Sequence, residues 1–313
     1  MNISNFVVVT ICSLLFVVHI CVIGLLVKTK NWSASRFLSL ALYLSISDAV
    51  MMVETIWQAV VRGILTESTR DSYHTQCIIL YNLTSGTVTF SLLQTLFICF
   101  ERLNATFTVS SLILRRLTSN VAVGVGFLIV HLYVLIRYLL DVFAQKDFVP
   151  SKGCDIAYTF QKEFLHFNEI PKVLLVFLIA GCYVTIIIRI VKRKSKVFTI
   201  DGFTELQEKK RKKAAKKMRS NVITLSCIIV VSVCSIIPRT VYGLYVQNFA
   251  VSNEETPTIA FIVNCLLLLN PVCDPFIYIL RLNKLRESVR DFANQKVTLN
   301  LSVSNVNPVN DVA

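Results

Sequence analysis

The chain has 313 residues, 54% of them hydrophobic and only 16% charged. Soluble chains average about 45–50% apolar and about 25% charged, so the composition argues against a water-soluble enzyme, and 9 Gly with 7 Pro exclude collagen-like and low-complexity classes. The net charge of +13 would suggest nucleic acid on a soluble protein, but here the basic residues alternate with long apolar runs, the pattern of an integral membrane protein.

A spanning helix needs roughly 20 apolar residues. Taken in chain order, the apolar runs predict seven: 5–27, 37–61, 78–100, 120–142, 170–190, 220–246 and 258–280. His131 and Arg137 interrupt the fourth, and the seventh is the cleanest. The expected architecture is an all-α, seven-helix transmembrane bundle. No internal repeat is visible, which argues against transporters built from duplicated halves.

Loop charge gives the direction. Alternate loops hold 24 of the 32 lysines and arginines, while the other set holds 5 (Arg62, Arg70, Lys146, Lys152 and Lys162). Arg137, Lys172 and Arg239 fall within or at the edges of spans. The positive-inside rule makes the basic set cytoplasmic, with the N-terminus outside and the C-terminus inside. The +13 is then mainly a topology signal. The first apolar run lacks a basic flank before it and has one after it, which favours an uncleaved span over a signal peptide. Asn2-Ile3-Ser4 is a glycosylation sequon on the outer side. The sequons at Asn31, Asn104 and Asn300 fall inside and Asn82 falls in a span, so these four are chance matches.

Four features carry chemistry. Cys77 precedes the third span and Cys154 lies in the second outer loop, the only two of ten cysteines outside the apolar runs. Both face the oxidising side, where a disulfide would persist; the alternative is two scattered cysteines acting as small hydrophobes. Arg102 follows Cys77 by 25 residues, about 37 Å of helix, which puts Glu101-Arg102-Leu103 at the cytoplasmic face. Asp48 sits in the middle of the second span and Asp274 in the inner half of the seventh. Intramembrane carboxylates are costly and mark functional or cation-binding sites, and two near each other must share a cation or a proton. Ser91 and Asn270, polar and at matching depth, could complete such a site; two independent hydrogen-bonded carboxyls are the alternative.

Together these residues resemble the rhodopsin-like family of G-protein-coupled receptors from Asp48 to about Phe292. The resemblance rests on Cys77 at the top of the third span, Glu101-Arg102 at its base and Asp48 in the second span. Pro238 in the sixth and Asp274-Pro275-Phe276-Ile277-Tyr278 in the seventh complete it. It implies a sodium or proton site at Asp48, Ser91, Asn270 and Asp274. It also implies a coupling role for Glu101, Arg102, Tyr183, Pro238, Asp274, Pro275 and Tyr278. The chain departs from the family pattern at Leu103, which replaces a Tyr, and lacks the Asn of span one, the Trp of spans four and six and the Pro of mid-span five.

The resemblance places a ligand pocket at Gln58, Tyr81, Thr84, Arg239, Tyr242 and Asn264, with Glu54 below. Thr84 stands where amine receptors of the family carry an Asp, which disfavours an amine ligand. Arg239 could hold an anionic group, pair with Glu54, or snorkel outward. On the inner side, the basic run from Lys209 to Arg219 is expected to extend the sixth helix toward an acidic partner or anionic lipid, or to be a solvated topogenic run. Leu282, Leu285, Val289 and Phe292 recur at helical spacing among basic residues, an amphipathic helix lying along the membrane. The domain expectation is thus a bundle over 1–281, an interfacial helix over 282–293 and a disordered cytoplasmic tail over 294–313.

The function that follows is a plasma-membrane receptor that transmits binding of an extracellular non-amine ligand to a heterotrimeric G protein. No nucleophile–base pair or phosphate loop suggests an enzyme, and no cofactor is expected apart from the sodium ion. The competing readings are a cation-coupled transporter or channel using Asp48 and Asp274, and a receptor fold that has lost signalling.

Overall fold

A computed structural model of the chain describes residues 3–28, 36–64, 70–107, 109–144, 162–198, 226–245 and 256–281. These residues are helical almost throughout. In lipid every backbone N–H and C=O must find a partner within the protein, and an apolar helix achieves this along its own length.

In chain order the helices are α1 (Ile3–Lys28), α2 (Arg36–Ile64), α3 (Arg70–Ala105), the short α4 (Leu112–Leu117), α5 (Asn120–Ala144), α6 (Lys162–Phe198), α7 (Ser226–Tyr245), α8 (Thr256–Leu267) and α9 (Leu269–Arg281). Six of these, α1, α2, α3, α5, α6 and α7, are long and apolar enough to cross a membrane. The expected seventh span is divided. Instead of one helix over 258–280, α8 and α9 meet at a turn at Leu268, leaving a shorter apolar stretch over Ile262–Ile277. Pro271 has no N–H to give to the Leu267 carbonyl four residues back, and its ring crowds that carbonyl; beside it the turn is tight, with Leu268 N–H donating to Cys265 O at 3.1 Å.

Burial sorts the helices. Most of α2 and α3 is buried, whereas only a minor share of α1, α5 and α6 is. The exposed surface is apolar, with Leu14, Val17, Leu128, Ile129, Phe177 and Leu178 pointing away from the bundle, as a helix facing lipid requires. α3 is the central post, packing against α2, α5 and α6, while α9 packs against α1 and α2. The interior holds Leu40, Leu44, Leu92, Ile98, Ile179 and Ile186, each nearly sealed from solvent.

Two glycines let α3 and α5 approach closely. A Cβ on Gly86 of α3 would meet Val134 Cγ2 at 2.8 Å, and one on Gly126 of α5 would meet Leu93 Cδ2 at 2.8 Å. Small residues at such crossings are the usual device of membrane helices, which lack a hydrophobic drive to associate.

α3 runs from a Cys77 end to an Arg102 end. At the Arg102 end, Asn104 organises the turn into α4: its side-chain oxygen accepts from Ser111 N–H at 2.9 Å and its amide donates to Ser110 Oγ at 3.0 Å. The Arg189 guanidinium lies 3.7 Å over the Phe107 ring, tying α6 to this turn.

Candidate functional site

At the Cys77 end, α1, α2, α3, α6, α7 and α8 enclose a cavity of about 140 Å³. Gln58, Tyr81, Thr84, Arg239 and Asn264 all line it. Tyr242, expected beside them, is half-buried one turn further along α7 from Arg239 and is not among the lining residues. Gln58 fixes the floor by donating to Thr84 Oγ1 at 2.9 Å and to the Leu80 carbonyl at 3.3 Å. Glu54 accepts from Thr87 at 2.9 Å and does not pair with Arg239.

Behind this cavity lies a polar network that the sequence reading did not assemble. Arg137 of α5, read as an interruption of its span, is buried and donates to Asn82 at 2.7 Å, to Ser85 at 3.3 Å and to Asn168. The Asn168 amide reaches Tyr81 Oη at 3.2 Å and Glu169 at 2.9 Å. Lys172, one turn along α6, pairs with Glu169 at 3.2 Å, both side chains being almost fully buried. Arg239 of α7 donates to Tyr81 Oη at 3.4 Å. The available signals were spacings: Asn82 with Ser85, and Glu169 with Lys172, each share a helix face at i,i+3.

Midway along the bundle, Asp48 and Asp274 are buried with their carboxyl groups within hydrogen-bonding reach of each other. No N–H or O–H donor among the described residues reaches any of their four oxygens. Two carboxylates cannot hydrogen-bond without a proton between them, so the arrangement calls for a shared proton or a cation. Asn270 turns elsewhere: its amide donates to Ser91 Oγ at 3.5 Å and its oxygen accepts from Ser232 Oγ at 3.0 Å, joining α9, α3 and α7. His19 of α1, which the sequence reading passed over, is fully buried with Nε2 2.8 Å from the Pro271 carbonyl oxygen.

At the Arg102 end, Arg102 Nε stands 3.0 Å from Glu101 Oε2, with side-chain exposures of 15% and 20%. The contact is ionic without hydrogen-bond alignment. The guanidinium also lies 4.2 Å over the ring of Phe37 at the start of α2. Tyr183 Oη and Ser226 Oγ share a hydrogen bond of 2.6 Å between α6 and α7. Pro238 lies within α7, and Pro275 lies within α9, buried next to Asp274. Tyr278 belongs to α9, but its side chain is not among those described. Cys77 is buried near the start of α3, and eight other cysteines are free thiols. Cys154, Asn2, the basic run 209–219 and residues 282–313 lie outside the described residues.

The molecule is therefore a helical membrane bundle with a polar cavity at one end, a desolvated Arg–Glu pair at the other, and paired carboxyls between. The family model described as 7 transmembrane receptor (rhodopsin family) matches residues 17–278, so the chain belongs to that family, whose members are generally signalling receptors rather than enzymes. No curated protein matches the chain.

Proposed function

We propose that this protein is a plasma-membrane receptor, N-terminus outside, that binds an extracellular non-amine ligand and activates a heterotrimeric G protein. In this reading α8 and α9 together make the seventh crossing, and residues 282–293 form the amphipathic helix along the inner leaflet. Cys77–Cys154 is the bridge that holds the second outer loop, and Asn2 carries a glycan.

One observation carries the reading. The cavity and the Arg102 pair sit at opposite ends of the same helix, and α2, α3, α7 and α9 run between them through Asp48, Ser91, Ser232, Asn270 and Asp274. A ligand that prefers one packing of these helices shifts the bundle between two states, and release of Arg102 then opens the inner face to the partner. The absence of a carboxylate from the cavity lining among the described residues supports a non-amine ligand. The bound cation of the reading is sodium, held at Asp48 and Asp274.

A ligand-library screen in cells reporting several second messengers tests the proposal. Ligand-dependent activation of a G protein is the expected result. Substrate flux through reconstituted vesicles, with no G-protein activation by any ligand, would establish the transporter reading instead.

A further inference from the structure

We infer that the cavity takes a small organic acid, its anionic group seated between the Lys172 ammonium and the Arg239 guanidinium. The inference deepens the receptor reading above by naming its ligand class, although the binding chemistry stands without it.

Both cations line the cavity and both are buried. The Lys172 ammonium is paired with Glu169 at 3.2 Å. Arg239 has a phenol oxygen at 3.4 Å and no carboxylate within ion-pair distance among the described residues. Burying a cation in a membrane bundle without a counter-charge is expensive, and such residues mark ligand or ion sites. An acid anion supplies the missing charge and accepts from both donors. Arg offers a planar fork and Lys a compact ammonium, a combination suited to one carboxylate or a similar oxyanion.

Beside the polar side chains of Gln58, Thr84 and Asn264, the walls carry an apolar surface from Met51, Val88, Ile236 and Leu268. That surface calls for a hydrocarbon body on the acid, and the volume of about 140 Å³ limits it to a small molecule. Inorganic anions would satisfy the charge but leave these walls bare.

The test uses the full-length chain in lipid nanodiscs, with straight-chain carboxylates from acetate to octanoate and benzoate as probes. The matching amides are their neutral counterparts, and the readout is the thermal midpoint. Expected is a saturable rise with at least one acid of intermediate length, the amide needing roughly tenfold or more higher concentration. Arg239→Gln should erase the preference for acid, and Arg239→Lys should keep much of it. Equal rises with acid and amide, no rise with any acid, or a rise reproduced by sodium chloride alone would each overturn the inference. The acid–amide comparison is made on the unaltered chain, so it decides the matter even where Arg239→Gln fails to fold. G-protein nucleotide exchange is measured separately. Acid-selective binding without exchange keeps the anion site and removes the receptor reading, whereas exchange driven by a neutral ligand without acid binding does the reverse.

Discussion

The imidazole of His19 fastens α1 to α9 by a 2.8 Å contact between its Nε2 and the Pro271 carbonyl oxygen. That carbonyl is available because Pro275, four residues on, has no N–H to return to it. The first span lacks the Asn that the family carries, and His19 supplies a donor to the seventh span in its place. His19→Leu keeps the bulk but orphans the carbonyl, which should cost about 1–3 kcal/mol. His19→Gln, whose amide nitrogen reaches about as far, should recover most of it. Thermal midpoints of the two variants in nanodiscs check the order.

The facing carboxyls make a second prediction. Replacing N-methylglucamine with sodium in the buffer should raise the thermal midpoint of the unaltered protein and weaken agonist binding. Asp274→Asn gives Asp48 an amide donor, so the pair should hold without a cation, and both sodium effects should vanish. A midpoint indifferent to sodium and to pH in the unaltered protein would reduce the pair to ordinary structural hydrogen bonding.

Arg102 is held on two sides, by Glu101 at 3.0 Å and by the face of Phe37 at 4.2 Å. The sequence just before α7 reads Lys216-Lys217-Met218-Arg219, without an acidic residue to pair with Arg102, so on the proposed receptor reading ligand-independent signalling should be measurable. Phe37→Ala removes a cation–π contact worth on the order of 1 kcal/mol and should raise that basal signal severalfold. Arg102→Ala should abolish it while surface expression persists. Basal signal at mock-transfected level across all G-protein classes would remove the leak.

On the proposed Cys77–Cys154 bridge, Cys154→Ala should lower surface expression and ligand affinity, because the second outer loop would lose its anchor and its entropy would have to be limited by binding instead. Peptide mapping of mature protein is the direct check: both thiols found free would end the disulfide.

Gly86→Ala should destabilise the bundle by about 1–3 kcal/mol through overpacking, since the clash falls on Val134, whose branched side chain has little rotamer freedom. Gly126→Ala meets the tip of Leu93, which can swing away, and should cost less. Denaturation midpoints in the same lipid rank the two.

Six of the seven expected spans were legible in the sequence because lipid thickness and backbone hydrogen bonding impose a length and an apolarity that any window detects. The break at Leu268 was not read from it, although Pro271 carries the signal, because the hydrophobic run continues across it. Asp48, Asp274, Glu101 and Arg102 were legible as costly charges in or beside apolar runs. The Arg137 network was not, because it depends on how α3, α5 and α6 are rotated about their axes. Asn82 shows the difference: as part of a sequon it reads as a chance match, while in the fold it is a principal acceptor for a buried guanidinium.

The network around Arg137 also bears on how the protein is made. An arginine costs roughly 2.5–3.5 kcal/mol at the centre of a lone membrane helix and less toward its ends, and Arg137 lies near the end of the span Asn120–Leu140. Here the groups that satisfy it come from the preceding span, through Asn82 and Ser85, and from the following one, through Asn168. Lys172 brings Glu169 on its own helix and so carries much of its compensation with it. The fourth span is therefore expected to be fully secured in the bilayer only once the third and the fifth pack against it.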